Sequence, residues 1–314
     1  MRNPPERIAV PDSAHEVTEH IKMLLKAAGV GHQLPTPKSQ ILDCAQLVEA
    51  GELNLEEYKQ TLSDKAHVFF RAISKILGLL DFNQHIVYVN PGVPASRKNF
   101  VTYHEVSHRV LPWQRQTYAE DDEFTLDPRC VAKFEAEANF GAAEILFQCE
   151  RFQKEIHDFP LHLDVALRFA EKYDASYHAT LRRYAERNHR PCLLLVLKRT
   201  SRVFENGHHS YFVIYTIPSL PFTRRFGDPF DGVAFLEPDN RIAQIIDTEG
   251  QGEVNLNDTN GFFRTCSVEV FDNKHNVFVL LYARGLSLFR RTIIRRVEAR
   301  LPPASRTIIE PFSQ

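Results

Sequence analysis

The chain has 314 residues, 43% of them hydrophobic and 25% charged, with a formal net charge of −2. Those values belong to an ordinary globular protein with room for two or three domains, and they give no global electrostatic sign of nucleic-acid binding. No window reaches about 18 apolar residues, which speaks against a membrane span. The opening M-R-N-P-P-E-R lacks the apolar core of a signal peptide, and Cys44, Cys130, Cys149, Cys192 and Cys266 are scattered without a C-x-x-C. The reading is therefore a cytoplasmic protein with free thiols.

Residues 1–12 carry three prolines and few apolar groups, and are expected to be loose. A helix is predicted from Ser13 to Ala28. Ser13 serves as cap, Val17, Ile21, Leu24 and Leu25 form the apolar stripe, and Gly29 ends it. A second helix is predicted over Gln40–Ala50, and a third over Glu56–Leu62. Ala66–Leu80 fits helix or strand equally. Ile76–Phe82, a turn at Asn83-Gln84, and His85–Asn90 then read as a hairpin.

The next stretch carries the chemistry. Ser96 is a candidate helix cap, and Pro112 should stop the helix by biasing Leu111 away from helical geometry. Between them stands Tyr103-His104-Glu105-Val106-Ser107-His108, an H-E-x-x-H motif. On a helix its two histidines, four residues apart, project from one face, together with Phe100 and Leu111. Unpaired imidazoles on such a face would be costly; metal-bound ones would not. Zn²⁺ takes imidazole nitrogens at about 2.0–2.1 Å and lowers the pKa of a water to about 7. Glu105 lies roughly 100° round the helix from His104, placed to handle that water's proton without ligating the ion.

A catalytic zinc site wants three protein ligands. A helix predicted over Val131–Cys149 offers two carboxylates, Glu135 and Glu137. Wound as a helix, Glu135 sits amid Val131, Ala138, Asn139, Ala142, Leu146 and Cys149, an apolar face where a carboxylate needs a partner. Glu137 falls opposite, with Lys133, Glu144 and Gln148, a face that reads as solvated. Glu135 is therefore the expected third ligand.

The run H-E-V-S-H-R-V-L-P-W, a loop, then F-E-A-E-A-N-F-G-A-A-E-I-L-F resembles the ImmA/IrrE metallopeptidase family. The resemblance covers about residues 36–200 well and the rest loosely. It implies a zincin-like fold with His104, His108 and Glu135 as ligands and Glu105 as the catalytic glutamate. Asn139 matches an asparagine four residues after the family's ligand, and with Tyr103 it is a candidate substrate contact. Two departures are Tyr103, where a small residue is common, and Ile145-Leu146-Phe147-Gln148 in place of an L-L-x-P ending. The family also implies a short sheet before the active-site helix. The edge of such a sheet can hold an extended peptide by main-chain pairing. The substrate class implied is a helix-turn-helix repressor.

Trp113–Arg129 reads as a loop containing Glu120-Asp121-Asp122-Glu123. A lid selecting basic segments is one reading; a solvated acidic loop is favoured, with Trp113 packed beneath it. From Leu161 two short helices follow, the second from about Ala175 to Ala185. They resemble a helix-turn-helix, with Arg182, Arg183, Arg187 and Arg190 available for phosphates. A small helical bundle joining two domains is favoured over DNA contact.

Beyond residue 190, strands are expected at Cys192–Lys198, Tyr211–Ile217, Gly232–Leu236, Ile242–Asp247, Thr265–Phe271 and Val277–Ala283. A basic amphipathic helix over Leu286–Leu301 would close the chain. The position of this part resembles the GAF-like sensor domain of longer IrrE-type proteins. His208-His209 could bind metal, though adjacent loop histidines usually do not.

The expected organisation is α+β, in four parts. They are an N-terminal extension (1–35), a zincin-like metallopeptidase domain (36–150), a helical helix-turn-helix-like segment (151–190) and a GAF-like α+β domain (191–314). The expected activity is zinc-dependent cleavage of a protein substrate, with Mn²⁺ as another candidate ion. The alternative is a DNA-binding or antitoxin-like regulator with a non-catalytic metal site. No membrane partner is expected.

Overall fold

A computed structural model describes residues 10–50, 78–82, 84–120, 127–203 and 208–283. The expected helices at 56–62 and 286–301 and the acidic residues 121–123 lie outside the described residues, as does nearly all of the ambiguous 66–80 segment.

Helix α1 (Ala14–Ala27) buries Val17, Ile21, Leu24 and Leu25, as the stripe predicts, and Gly29 leaves it at φ +67°. Helix α2 spans only Lys38–Ala45. Gln46 turns the chain at φ 57°, and Val48–Ala50 becomes strand β1. The predicted helix 40–50 is thus cut short by a left-handed residue that is not glycine, which propensity does not reveal. The hairpin is present as β2 (Gly78–Asp81) and β3 (Ile86–Val89), antiparallel with Leu79 opposite Tyr88. β1 adds in parallel beside β3, so among the described residues β2 is an edge of this sheet.

Helix α3 (Ala95–Val110) carries the H-E-x-x-H motif. Its cap position is Pro94, so Ser96 lies inside the first turn, and it ends at Leu111 in extended geometry, one residue before Pro112. Pro112 then opens helix α4 (Pro112–Glu120). The proline that stops one helix is the favoured first residue of the next, so the expected loop at 113–120 is helical. Helix α5 (Pro128–Leu146) is capped by the Asp127 side chain, which accepts from Arg129 N–H. Helices α6 (Glu150–His157), α7 (Leu163–Tyr173) and α8 (Tyr177–Glu186) complete this half.

The second half is a six-stranded antiparallel sheet: β4 (Cys192–Val203), β5 (His209–Pro218), β6 (Phe235–Leu236), β7 (Gln251–Asn257), β8 (Phe263–Asp272) and β9 (Val277–Ala283), in the order β6-β5-β4-β9-β8-β7. Ile242–Asp247, expected as a strand, lies in helix α10 (Arg241–Thr248). The Asn240 side chain caps it by accepting from Ile242 N–H, and Ile242, Ala243 and Ile245 fall at helical spacing. Helix α9 (Leu220–Phe226) and strand β7 escaped the sequence reading.

The two central strands bury both faces. Leu194 and Val196 of β4, with Phe278 and Leu280 of β9, join the core built by α1–α3 and α5–α8. Leu193, Leu195 and Leu197, with Val279 and Leu281, face Phe222 of α9 and Ile242 and Ile245 of α10. The period of two along each strand serves two cores at once.

Each arginine offered to phosphate has a partner within the chain. Arg183 (2.6 Å) and Arg187 (3.0 Å) both donate to buried Glu144 of α5. Arg182 pairs with Glu186, and Arg190 donates to the Phe159 carbonyl. The face of α8 bearing Leu181, Arg183, Tyr184 and Ala185 is buried, so the 161–190 segment is an internal brace rather than a free reading head. Among the described residues no helix is long and apolar enough to cross a membrane. All five cysteines are free.

Candidate metal centre

The site exists because α3 and α5 approach closely. Gly141 of α5 faces Ser107 of α3, where a methyl group would meet Ser107 Oγ at 2.6 Å. That contact fixes the spacing at which His104 and His108 of one helix meet Glu135 of the other. His104 and His108 project from one face of α3, as the i, i+4 spacing requires. Glu135 comes from α5, six residues before the close contact.

The three side chains converge. His104 Nε2 lies 3.1 Å from His108 Nε2 and 3.3 Å from Glu135 Oε2, while His108 Nε2 lies 3.4 Å from Glu135 Oε1. Ligand atoms arranged tetrahedrally about 2.0–2.1 Å from an ion stand about 3.3 Å from one another. The donor set therefore fits a small divalent cation in both chemistry and spacing. Among the described residues no fourth His, Cys, Asp or Glu joins the group. The site is also lopsided, since the His108 side chain is 7% exposed and that of Glu135 46%. Three ligands with one open side make a site that can accept a reactant, unlike a closed structural site with four.

The charges agree. Burial of the Glu135 carboxyl works against its charged form, but hydrogen bonds to His104 and His108 prevail and hold it well below the ordinary carboxylate range. Burial likewise opposes a charge on His108, yet the Glu135 hydrogen bond and the charges of Glu105 and Glu135 raise its pKa above the ordinary value.

Glu105 is buried, 7% exposed. Its carboxylate lies against the backbone of edge strand β2, where a methyl group on Gly78 would stand 2.7 Å from Glu105 Oε1. Tyr103 is fully buried and donates its hydroxyl to the Thr36 carbonyl at 2.8 Å. That places its ring in the core, out of reach of a solvent-borne substrate, and corrects its reading as a substrate contact. Asn139 is exposed, one turn beyond Glu135 on α5.

The face assigned to Glu137 needs correction. Glu137 and Glu144 are buried, at 0% and 1% exposure, whereas Glu135 is half open. Glu135 is the carboxylate beside the histidines, but it stands on the more open side of α5. Helical winding alone puts Glu137 on a solvated face, because its main partners lie far off in sequence. They are Ser13, which donates to Oε1, and Trp113 Nε1 and Gln114 Nε2, each 2.7 Å from Oε2. Gln114 also reaches His108 Nδ1 at 2.7 Å. Tyr118 sets its ring edge-on to His108 at 5.8 Å. Neither Gln114 nor Tyr118 was singled out in the sequence, because both fall in the stretch read as loop.

Residues 57–184 match the family model of the IrrE N-terminal-like domain, Peptidase M78. The matched segment contains the H-E-x-x-H helix, Glu135 and the α7–α8 brace. Among solved structures, a Mycobacterium tuberculosis transcriptional regulator aligns with 12% identity and a TM-score of 0.46, covering 86% of this chain and 88% of that chain. None of the curated proteins compared with the sequence matches it.

Proposed function

From the premise that the chain carries an IrrE N-terminal-like domain over residues 57–184, we propose that it is a zinc-dependent endopeptidase acting in regulation, its substrate a helix-turn-helix repressor. The observation that carries this reading is the convergence of His104, His108 and Glu135 at tetrahedral spacing beside buried Glu105.

A divalent ion held there would polarise a carbonyl and acidify water. The chain's own residues supply the rest. Glu105 accepts a proton from the attacking water and returns it to the leaving amine. Edge strand β2 offers main-chain groups to an extended peptide, the pairing mode that fixes register without demanding a particular side chain. Asn139, exposed beyond Glu135, is a candidate contact to the same peptide. Mn²⁺ suits the same ligands, since ion choice also depends on availability.

The proposed limits are those of the sequence, 1–35, 36–150, 151–190 and 191–314, with the first and third parts packed into the core of the second. The last part is read as a GAF-like sensor, a reading supported by its antiparallel sheet with α9 and α10 packed on one face. A cytoplasmic location is in keeping with five free thiols. The DNA-binding alternative is disfavoured by arginines spent on Glu144, Glu186 and Phe159.

The test compares new protein N-termini in cells producing the wild type with those producing Glu105→Gln. The expected result is a cut in a helix-turn-helix protein that only the wild type makes. An identical set of N-termini in both would contradict the reading.

A further inference from the structure

Gln114 sits between His108 and Glu137, and its amide is shared by three groups that together leave it a single orientation. Its Nε2 lies 2.7 Å from Glu137 Oε2 and 3.2 Å from the Phe134 carbonyl oxygen. A carbonyl oxygen only accepts, and an ionised carboxylate only accepts. The amide nitrogen must therefore face this pair, which turns Oε1 toward His108 Nδ1, 2.7 Å away. An amide oxygen cannot donate, so Nδ1 must carry the ring proton. In the neutral ring that leaves Nε2 as the bare nitrogen. Nε2 is the atom that lies 3.1 Å from His104 Nε2 and 3.4 Å from Glu135 Oε1.

Glu137 is itself held. It is fully buried, and Ser13 of the α1 cap and Trp113 of α4 also donate to it. Gln114 is 0% exposed, so water does not compete for its amide. We infer that Gln114, oriented by Glu137, is a positioning residue that fixes His108 in the Nδ1–H tautomer and so presents Nε2 to the ion. Helix α5 thereby serves the centre twice, with Glu135 as ligand and Glu137, two residues on, setting the proton of a ligand on another helix. The inference rests on the metal-site reading above, but the tautomer can be read without metal.

The experiment uses the full chain, stripped of metal. At alkaline pH, where imidazole is neutral, ¹⁵N spectra identify which ring nitrogen of His108 carries hydrogen, and competition with a chromophoric chelator gives zinc affinity. The wild type should show Nδ1–H. Gln114→Met, matched in size but unable to accept, should lose that preference and bind zinc about 10–100-fold more weakly, with its circular dichroism unchanged. Glu137→Gln keeps an oxygen for Gln114 and should retain the wild-type tautomer. An Nε2–H tautomer in the wild type would overturn the inference, as would a folded Gln114→Met with wild-type affinity and tautomer. If Gln114→Met does not fold, the wild-type spectrum still decides. If the wild type shows Nδ1–H yet binds no zinc, the metal-site reading falls and the positioning of the ring stands.

Discussion

Gly78 of edge strand β2 leaves the space that the Glu105 carboxylate occupies: a methyl group on Gly78 would stand 2.7 Å from Glu105 Oε1 and 2.6 Å from Val101 Cγ1. A separation under 3 Å forces something to move, and here it is the Glu105 carboxylate or the helix that carries it. Gly78→Ala should therefore cost about 1–3 kcal/mol of stability by overpacking. It should lower peptidase rate by more than tenfold, since a roughly 1 Å displacement of a reacting group can cost about 100-fold. Zinc stoichiometry should stay at the wild-type value. Full activity in Gly78→Ala would show that Glu105 needs no such clearance.

Buried Glu144 binds Arg183 and Arg187 and so joins α5, which bears Glu135, to the α8 brace. Removing one partner of a buried pair leaves an uncompensated charge. Glu144→Leu should thus cost about 3–5 kcal/mol, read as a shift in urea midpoint. Adding Arg183→Leu should recover part of the loss. A midpoint unchanged in the single variant would mean that the triad contributes nothing.

Glu269 of β8 ties the sheet to α7, accepting from Leu163 N–H at 2.7 Å and pairing with His162 Nδ1 at 2.6 Å. Burial opposes its charge, but hydrogen bonds from His162, Tyr282 and the Leu163 N–H outweigh it and hold the carboxyl below its ordinary value of 4.5. A depressed folded pKa means stability that is present above that ordinary value and lost as pH falls through the lowered one. Glu269→Gln should cost about 1–3 kcal/mol at neutral pH, and the gap from wild type should narrow in acid. A gap that widens as pH falls would reverse the sign assigned to Glu269.

His108 works in the opposite direction. Its pKa is raised, mainly through Glu135 and Glu105 against the opposing effect of burial. In the metal-free protein its contribution is present below the ordinary imidazole value and lost as pH rises through the raised one. An ion must displace that proton, so zinc affinity should fall as pH drops through the raised His108 value, with protons released on binding. Calorimetry in buffers of different ionisation enthalpy measures the release. No proton release near neutrality would contradict the assignment of His108 as a ligand.

Local signals carried much of this in the sequence. The α1 stripe, the β2–β3 hairpin, the stop at Pro112 and the spacing of His104 and His108 all depend on residues within a few positions of each other. Glu135 was reached by treating its face as apolar, whereas it is Glu137 and Glu144 that are buried. Their partners, Ser13, Trp113, Gln114, Arg183 and Arg187, come from other elements, and no helical wheel contains them. Pro112 shows a second limit, since a residue that ends one helix can begin another. Ile242–Asp247 shows a third: its β-branched residues outweighed the Asn240 cap in a reading by composition, while the cap and the helical spacing prevail in the fold.

The most direct measurement is metal content per chain, by mass spectrometry on protein purified without a metal-binding tag, for the wild type, Glu105→Gln and Glu135→Gln. The expected result is about one divalent ion per chain in the wild type and in Glu105→Gln, and none in Glu135→Gln. A wild type that stays free of metal after incubation with zinc or manganese would contradict it, and His104, His108 and Glu135 would then be an ion-pair cluster and not a metal centre.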